Sequence, residues 1–368
     1  MLFPAESLSM KKNYRKITVK IGSNVITRKD GKLDITRISA LVDQVAALHQ
    51  QGIEVILISS GAVAAGKSTI TAHKTKDTVD ERQLYAAVGQ AKLMNYYWDL
   101  FREHGITVGQ VLTTKDNFSN RRGYLNQRNC IRVMLDNGIV PVVNENDAVS
   151  VTELMFTDND ELSGMIASMM GSEALFILSN VDGIFTGLPS DPEADIIPVI
   201  KKGQNISDYI LHTKSVFGRG GMTTKAKIAS KIAEEGIDVF ITNGKRENII
   251  LKLAHSEAVP CTHFEAEKNA VSSIKKWIAH SDGFAKGKVF INENAVKALT
   301  ATQATSLLPV GILNMEGTFE KDDIIRIMDQ KGKYLGVGKA AYSSEELVGM
   351  IGLKNQKAFV HYDYMFLE

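Results

Sequence analysis

The chain has 368 residues with 43 Lys+Arg against 42 Asp+Glu, more than one hydrophobic core usually organises, so two domains are expected. A net charge near zero gives no whole-chain reason to expect a nucleic acid or an anionic membrane as partner. Two cysteines far apart, Cys130 and Cys261, exclude a disulfide framework and a zinc-type spacing and fit a reducing compartment.

The N-terminal stretch up to residue 15 has no apolar core of signal-peptide length, and no later segment approaches 18 uninterrupted apolar residues. The expectation is a cytoplasmic protein whose first residues form a loose tail. Short apolar runs then alternate with stretches of helical period. "KITVKIG" reads as a strand. The helix over 36–51 puts Ile38, Leu41, Val42, Val45 and Leu48 on one stripe, with Asp34 and Thr36 as start chemistry and Gly52 as the stop. "EVILISSG", "ERQLYAAVGQAKLMNYYWDLFREHG", "TVGQVLTT", "RGYLNQRNCIRVMLDNG", "IVPVVNEN", "DELSGMIASMMG", "EALFILSN", "TTKAKIASKIAEEG" and "DVFITNG" continue the alternation to about residue 244. That order predicts an α/β domain with a mostly parallel sheet between helical layers.

Past about residue 265 the texture changes. The expected division is an N-terminal tail over 1–15, an α/β domain over 16–266, a linker over 267–281 and a β-rich module over 282–368. The last contains "GKVFI", "GTFEKDDIIRIMD" and "KYLGVGKAAY", with one helix at "ENAVKALT", and suits a compact barrel. It carries ten Lys+Arg and eleven Asp+Glu, without the basic footprint that backbone binding to nucleic acid needs.

One motif invites a nucleotide-binding reading. Gly61, Gly66, Lys67 and Ser68 stand at the spacing G-x-x-x-x-G-K-[ST] after an apolar strand. A phosphate-binding loop needs an open turn between the glycines, yet the four residues there are Ala62, Val63, Ala64 and Ala65. Three alanines favour a helix starting directly after Gly61, which would carry Lys67 a turn or more away from a phosphate held at the helix start. What survives is the Ser60-Gly61 turn at a strand end, able to offer backbone amides to an anion.

Other polar clusters fall at predicted strand ends, where parallel α/β sheets collect their ligands. "VKIGSNVI" places Lys20 before Gly22 and Ser23. "VVNENDAV" supplies Asn144, Glu145, Asn146 and Asp147, "FTDNDELSG" supplies Asp158, Asn159 and Asp160, and "FGRGGMTTKAK" supplies Gly218, Gly220, Gly221 and Lys225. Taken singly, each has a plainer reading as a solvated lysine, a turn, an N-cap or a flexible loop. Together, two lysines on glycine-rich loops and two carboxamide–carboxylate clusters supply what phosphoryl transfer without a P-loop requires: cations for the transferring group and polar anchors for a charged acceptor.

On these motifs the chain resembles the amino-acid kinase family over nearly its whole length after residue 15, most of all the members that phosphorylate the side-chain carboxylate of glutamate at the start of proline biosynthesis. The C-terminal module resembles a PUA domain. The resemblance implies ATP and Mg2+ as cofactors, with no metal ligand assigned. It implies that Lys20 and Lys225 flank the γ-phosphoryl group, and that Asp160 organises both lysines. Ser60, Gly61, Asn144, Asp147 and Asn159 would grip L-glutamate. Lys20, Gly22, Ser179, Asn180, Arg219, Gly220, Gly221, Met222, Thr223, Thr224 and Lys225 would hold ATP. Asn180 departs from the aspartate many relatives carry, and Arg219 stands where a small residue is common. Proline as feedback inhibitor, a homo-oligomer and hand-off of the labile product to glutamyl phosphate reductase are further implications. Two alternatives stay open: an RNA-binding protein acting through the PUA-like module, and a same-fold kinase for acetylglutamate, aspartate or carbamate.

Overall fold

The structure is a computed structural model that describes residues 12–70, 78–119, 121–150, 159–189, 191, 193–201, 221–267, 278, 284–301 and 305–367. The chain divides into two compact units, Met1–Lys115 with Arg128–Ala270, and Asp116–Gln127 with Val271–Glu368. The sequence expectation contained no such excursion of residues 116–127 into the second unit. Among the described residues no helix is long and apolar enough to cross a membrane.

The first unit is built on an eight-stranded sheet of order β3-β4-β2-β1-β5-β7-β8-β6. Its strands are β1 (Lys16–Ile21), β2 (Glu54–Ser59), β3 (Val108–Thr113), β4 (Val140–Glu145), β5 (Ala174–Ser179), β6 (Val199–Ile200), β7 (Asp238–Asn243) and β8 (Cys261–Phe264). All neighbours pair in parallel except β7 with β8, which run antiparallel. β1, β2, β4 and β5 are buried at nearly every position because both faces of the sheet are covered.

The helices of the first unit are α1 (Ser23–Ile26), α2 (Ile35–Gln50), α3 (Ala62–Lys67), α4 (Thr78–Arg102), α7 (Asn159–Met170), α8 (Met222–Glu234) and α9 (Ile249–Ala254), while α5 (Asp116–Ser119) lies in the second unit's segment and α6 (Arg121–Asp136) spans the division. α2 begins where the sequence places it: the Asp34 carboxylate accepts from the Arg37 amide at 3.1 Å, and Gly52 leaves the helix at φ +80°. One core joins Ile17, Val19 and Ile21 of β1 to the α2 stripe, to Leu93, Tyr97 and Phe101 of α4, and to α9. The opposite core joins Leu175 and Ile177 of β5 to Ala167 of α7 and to Ala226, Ala229 and Ile232 of α8. The alternation of side chains along β1 therefore sends Lys20 toward the α7–α8 layer, the opposite way from Ile17, Val19 and Ile21.

At the N-terminal ends of the strands, Asp238 gathers a buried polar cluster. Its carboxylate accepts from Lys12 Nζ at 2.5 Å, Tyr14 Oη at 3.1 Å, His263 Nε2 at 2.9 Å and the Ala266 amide at 3.1 Å. Burial pushes this carboxyl up from its ordinary 3.8, and the bonds from His263, Lys12 and Ala266 more than reverse that, drawing it down to about 2. The same burial, with Asp238 alongside, drives the Tyr14 hydroxyl well above the phenol range. A carboxyl whose folded value is depressed contributes stability that is complete above its unfolded value and is lost as pH falls through the folded one. Asp238→Asn is therefore expected to flatten the stability curve between about pH 4 and about pH 2 and to cost roughly 2–3 kcal/mol at neutral pH. Urea unfolding of both proteins across that range measures it, and parallel curves would rule this cluster out as the source of acid sensitivity.

The second unit holds a five-stranded sheet of order β10-β9-β11-β12-β13, from β9 (Gly287–Ile291), β10 (Ile312–Gly317), β11 (Ile324–Asp329), β12 (Tyr334–Lys339) and β13 (Met365–Leu367). β9 and β11 are parallel and the other pairs antiparallel. Its helices, α10 (Glu293–Thr300) and α11 (Ser344–Val348), are capped by Asn292 and by a Ser343–Glu346 capping box. Val289, Ile291, Ile325, Ile327, Phe319, Phe359 and Val360 fill its core.

Candidate active site

The C-terminal ends of β4, β2, β1, β5 and β7 lie side by side on one edge of the parallel sheet. Segments far apart in the chain meet there. Lys20 ends β1, Ser60 and Gly61 follow β2, Asn144 ends β4, Asn159 and Asp160 open α7, and Lys225 sits in the first turns of α8.

At the centre, one carboxylate holds two ammonium groups. Lys20 Nζ lies 2.5 Å from Asp160 Oδ1, and Lys225 Nζ lies 2.6 Å from Asp160 Oδ2. The Asp160 side chain is 1% exposed, Lys20 6% and Lys225 14%. Burial alone would raise the Asp160 carboxyl, but the two lysines hold it below its ordinary value, so it is ionised at neutral pH. Two cations on one anion leave a formal charge of +1, fixed by ion pairs in a largely desolvated place. Such a cluster is preorganised for an incoming anion.

Beside it runs a carboxamide network. Asn159 Nδ2 donates to Ser60 Oγ at 2.8 Å, Asn144 Oδ1 at 3.1 Å and the Ser59 carbonyl at 3.2 Å, while Asn144 Nδ2 donates to Gln90 Oε1 at 2.9 Å. The Ser59 carbonyl can only accept, which fixes how the Asn159 amide is turned. Its Oδ1 is left buried without a donor among the described residues, an acceptor suited to a ligand's N–H. A cavity of about 350 Å3 adjoins the network, lined by Gln90, Glu145, Asn146 and Asp147 together with Ala62 and Leu112. Asp147 is held by Arg82, whose Nη2 lies 2.7 Å from Asp147 Oδ1.

The described residues expected from sequence to hold ATP lie at the ends of β1 and β5 and at the start of α8. Gly22 donates its amide to the Leu178 carbonyl at 3.0 Å, and a Cβ there would stand 2.9 Å from that oxygen. Ser179 is buried at the end of β5 with its Oγ accepting from the Val181 amide at 3.1 Å, and Asn180 is exposed beside it. Gly221 caps α8, and Met222, Thr223, Thr224 and Lys225 form the start of that helix. The positive end of its helix dipole favours an anion. Arg219 and Gly220 lie outside the described residues, as does Asp158. Arg246 forms a bidentate pair with Asp182 at 2.6 and 2.8 Å, tying the turn after β7 to the turn after β5.

The P-loop spacing has a structural explanation. Gly61 adopts φ +104° and α3 begins at Ala62, so the four residues between the glycines are helical. Lys67 is exposed and lies over the Tyr85 ring at 5.5 Å. Gly66 serves packing, because α3 and α4 approach so closely that a Cβ on Gly66 would stand 1.9 Å from the Tyr85 carbonyl and one on Gly89 would stand 1.8 Å from the Ala62 carbonyl.

Arg82 and Gln90 were not singled out from sequence. Both occupy one side of α4, at i and i+8 around Ala86 and Gly89, a spacing that places them along the same wall. Nothing local names their partners across the sheet edge.

The model of the amino acid kinase family matches residues 15–243, and that of the PUA domain matches residues 287–358. A glutamate 5-kinase of Bacteroides thetaiotaomicron is 60% identical over 360 residues, covering 98% of this chain and 100% of that one. Glutamate 5-kinases of Chlorobaculum tepidum, 49% identical over 96% of this chain and 98% of its own, and of Dehalococcoides mccartyi, 38% identical over 92% of each, extend the likeness. With matches that run through both compact units and through every strand end of the site, the chain belongs to the amino acid kinase family.

Proposed function

We propose that the protein transfers the γ-phosphoryl group of ATP to the side-chain carboxylate of L-glutamate, giving L-glutamyl 5-phosphate at the entry to proline biosynthesis. The observation that carries the chemistry is the single buried carboxylate holding Lys20 and Lys225 beside a carboxamide network. The acceptor is the activity stated in the names of relatives that match nearly the whole chain.

In this reading Lys20 and Lys225 neutralise charge on the equatorial oxygens of the transferring group, and Asp160 keeps both ammonium groups aimed. No general base is required, because a glutamate carboxylate is already an ionised nucleophile. The start of α8 and the Gly22 turn cradle the outer phosphates, and Ser179 and Asn180 border the nucleoside. Asn144, Asn159, Ser60 and Asp147 hold the amino acid, with the buried Asn159 Oδ1 as one acceptor for its ammonium. Among the described residues no three acidic, histidine or cysteine side chains converge as a metal cage, and both oxygens of Asp160 face lysines. Mg2+ would therefore be held chiefly by the phosphates of ATP, where it would offset their charge, rather than by a cage of the described side chains.

Release of ADP, screened with glutamate, acetylglutamate, aspartate and carbamate and with hydroxylamine trapping of the acyl phosphate, tests the acceptor. Turnover on one of the others and none on glutamate would sink the assignment. Asn159→Ala is expected to raise the KM for glutamate roughly tenfold while kcat falls less, as for an anchor used in ground state and transition state alike. Steady-state kinetics in glutamate at saturating ATP measure this, and a pure loss of kcat would place Asn159 elsewhere in the mechanism. Proline, which shares the α-amino and α-carboxylate groups, is expected to compete at the same anchors. Inhibition unrelieved by rising glutamate would separate the two sites.

A further inference from the structure

We propose that Arg82 is a positioning residue that sets the Asp147 carboxylate to read the α-ammonium group of the acceptor, an inference that rests on the amino-acid substrate proposed above. Asp147 and Glu145 both line the same cavity, so two carboxylates share a small, partly desolvated space. Like charges so placed repel, and a carboxylate with a soft rotamer is a poor reader of a single ammonium. The backbone under Asp147 is already fixed. The Asn146 amide donates to the Thr113 carbonyl at 2.8 Å, and the Asn146 carbonyl accepts from the Val149 and Ser150 amides at 3.2 and 3.0 Å.

Arg82 holds the side chain. Its Nη2 stands 2.7 Å from Asp147 Oδ1, with the two side chains 15% and 19% exposed. A charge-assisted bond in that setting holds in place a carboxylate that lines the cavity. Arg82 rides on α4, the helix that also brings Gln90 to Asn144 at 2.9 Å. One rigid element thus supports both the carboxylate and the carboxamide sides of the acceptor site. The group read at Asp147 is a primary ammonium beside a carboxylate-bearing chain, which distinguishes an α-amino acid from the corresponding dicarboxylate.

The experiment compares L-glutamate with glutarate, which lacks the α-ammonium. In Arg82→Ala the KM for glutamate is expected to rise roughly tenfold, with kcat and the KM for ATP within about twofold of the parent and the inhibition constant of glutarate unchanged. Arg82→Lys, which keeps a cation in reach, is expected to recover most of the loss. Glutamate and glutarate weakening together would make Arg82 a direct carboxylate contact or a purely structural residue, and would overturn the proposal. So would unchanged glutamate kinetics. If Arg82→Ala does not fold, Arg82→Gln carries the same comparison. A parent enzyme that releases no ADP with glutamate would instead overturn the substrate reading, leaving the two failures distinguishable.

Discussion

Lys20→Ala is expected to lower kcat roughly a hundred- to a thousand-fold with much smaller effects on either KM, because a preorganised cation facing developing phosphoryl charge contributes about 3–4 kcal/mol to the transition state. The Lys20 ammonium is buried and held 2.5 Å from Asp160, so it loses little freedom when the reaction begins. Asp160→Ala is expected to show a similar fall, since it releases both lysines from their shared anchor. The double variant should lie close to either single one, as for residues that act as a unit. Asp160→Ala also leaves two buried ammonium groups facing each other, so it should unfold more easily than Lys20→Ala. Steady-state kinetics on the folded fraction of each variant check this, with circular dichroism as the folding control. A normal kcat in Lys20→Ala would remove the proposed mechanism.

Gly66→Ala should destabilise the protein by roughly 3 kcal/mol, lowering Tm by about 6–12 °C, whereas Lys67→Ala should leave both stability and turnover within a few-fold of the parent. The added methyl would stand 1.9 Å from the backbone oxygen of Tyr85, a group that cannot swing aside. α3 and α4 would have to separate, and the Ser60-Gly61 turn at the head of α3 would move with them. A working P-loop predicts the opposite pattern, in which the lysine substitution abolishes turnover and the helix-start glycine matters for phosphate approach. Thermal unfolding together with ATP turnover on the two variants separates these readings. A collapse of activity in folded Lys67→Ala would restore the discarded motif.

The order of strands and helices in the first unit was legible because its signals are local. Lys16–Ile21 alternates Ile17, Val19 and Ile21 with polar residues, Glu54–Ser59 is an apolar run, the α2 stripe repeats every three or four residues, and Asp34 and Gly52 mark its ends. The same local evidence put Lys20, Ser60, Asn144 and Asn159 at strand and helix ends, and so on one edge of a parallel sheet. β8 and its antiparallel pairing with β7 were not legible, since a four-residue strand carries too short a pattern. The second unit's claim on residues 116–127 was likewise hidden, because it is set by long-range packing.

By itself the sequence determined that this chain builds an open α/β sheet whose strand ends carry two lysines, an aspartate and a run of carboxamides. Helical propensity and periodicity act within a few residues of where they are written. The tertiary structure alone decided that one carboxylate serves both Lys20 and Lys225, that Asn159 spans Ser60 and Asn144, and that Arg82 holds Asp147. These partners are separated in sequence by 15 to 140 residues and meet only through the strand order, the close crossing of α3 with α4 and the hand of the crossovers. No local pattern encodes a distance of that kind, because it is set by how two packed layers close over one sheet.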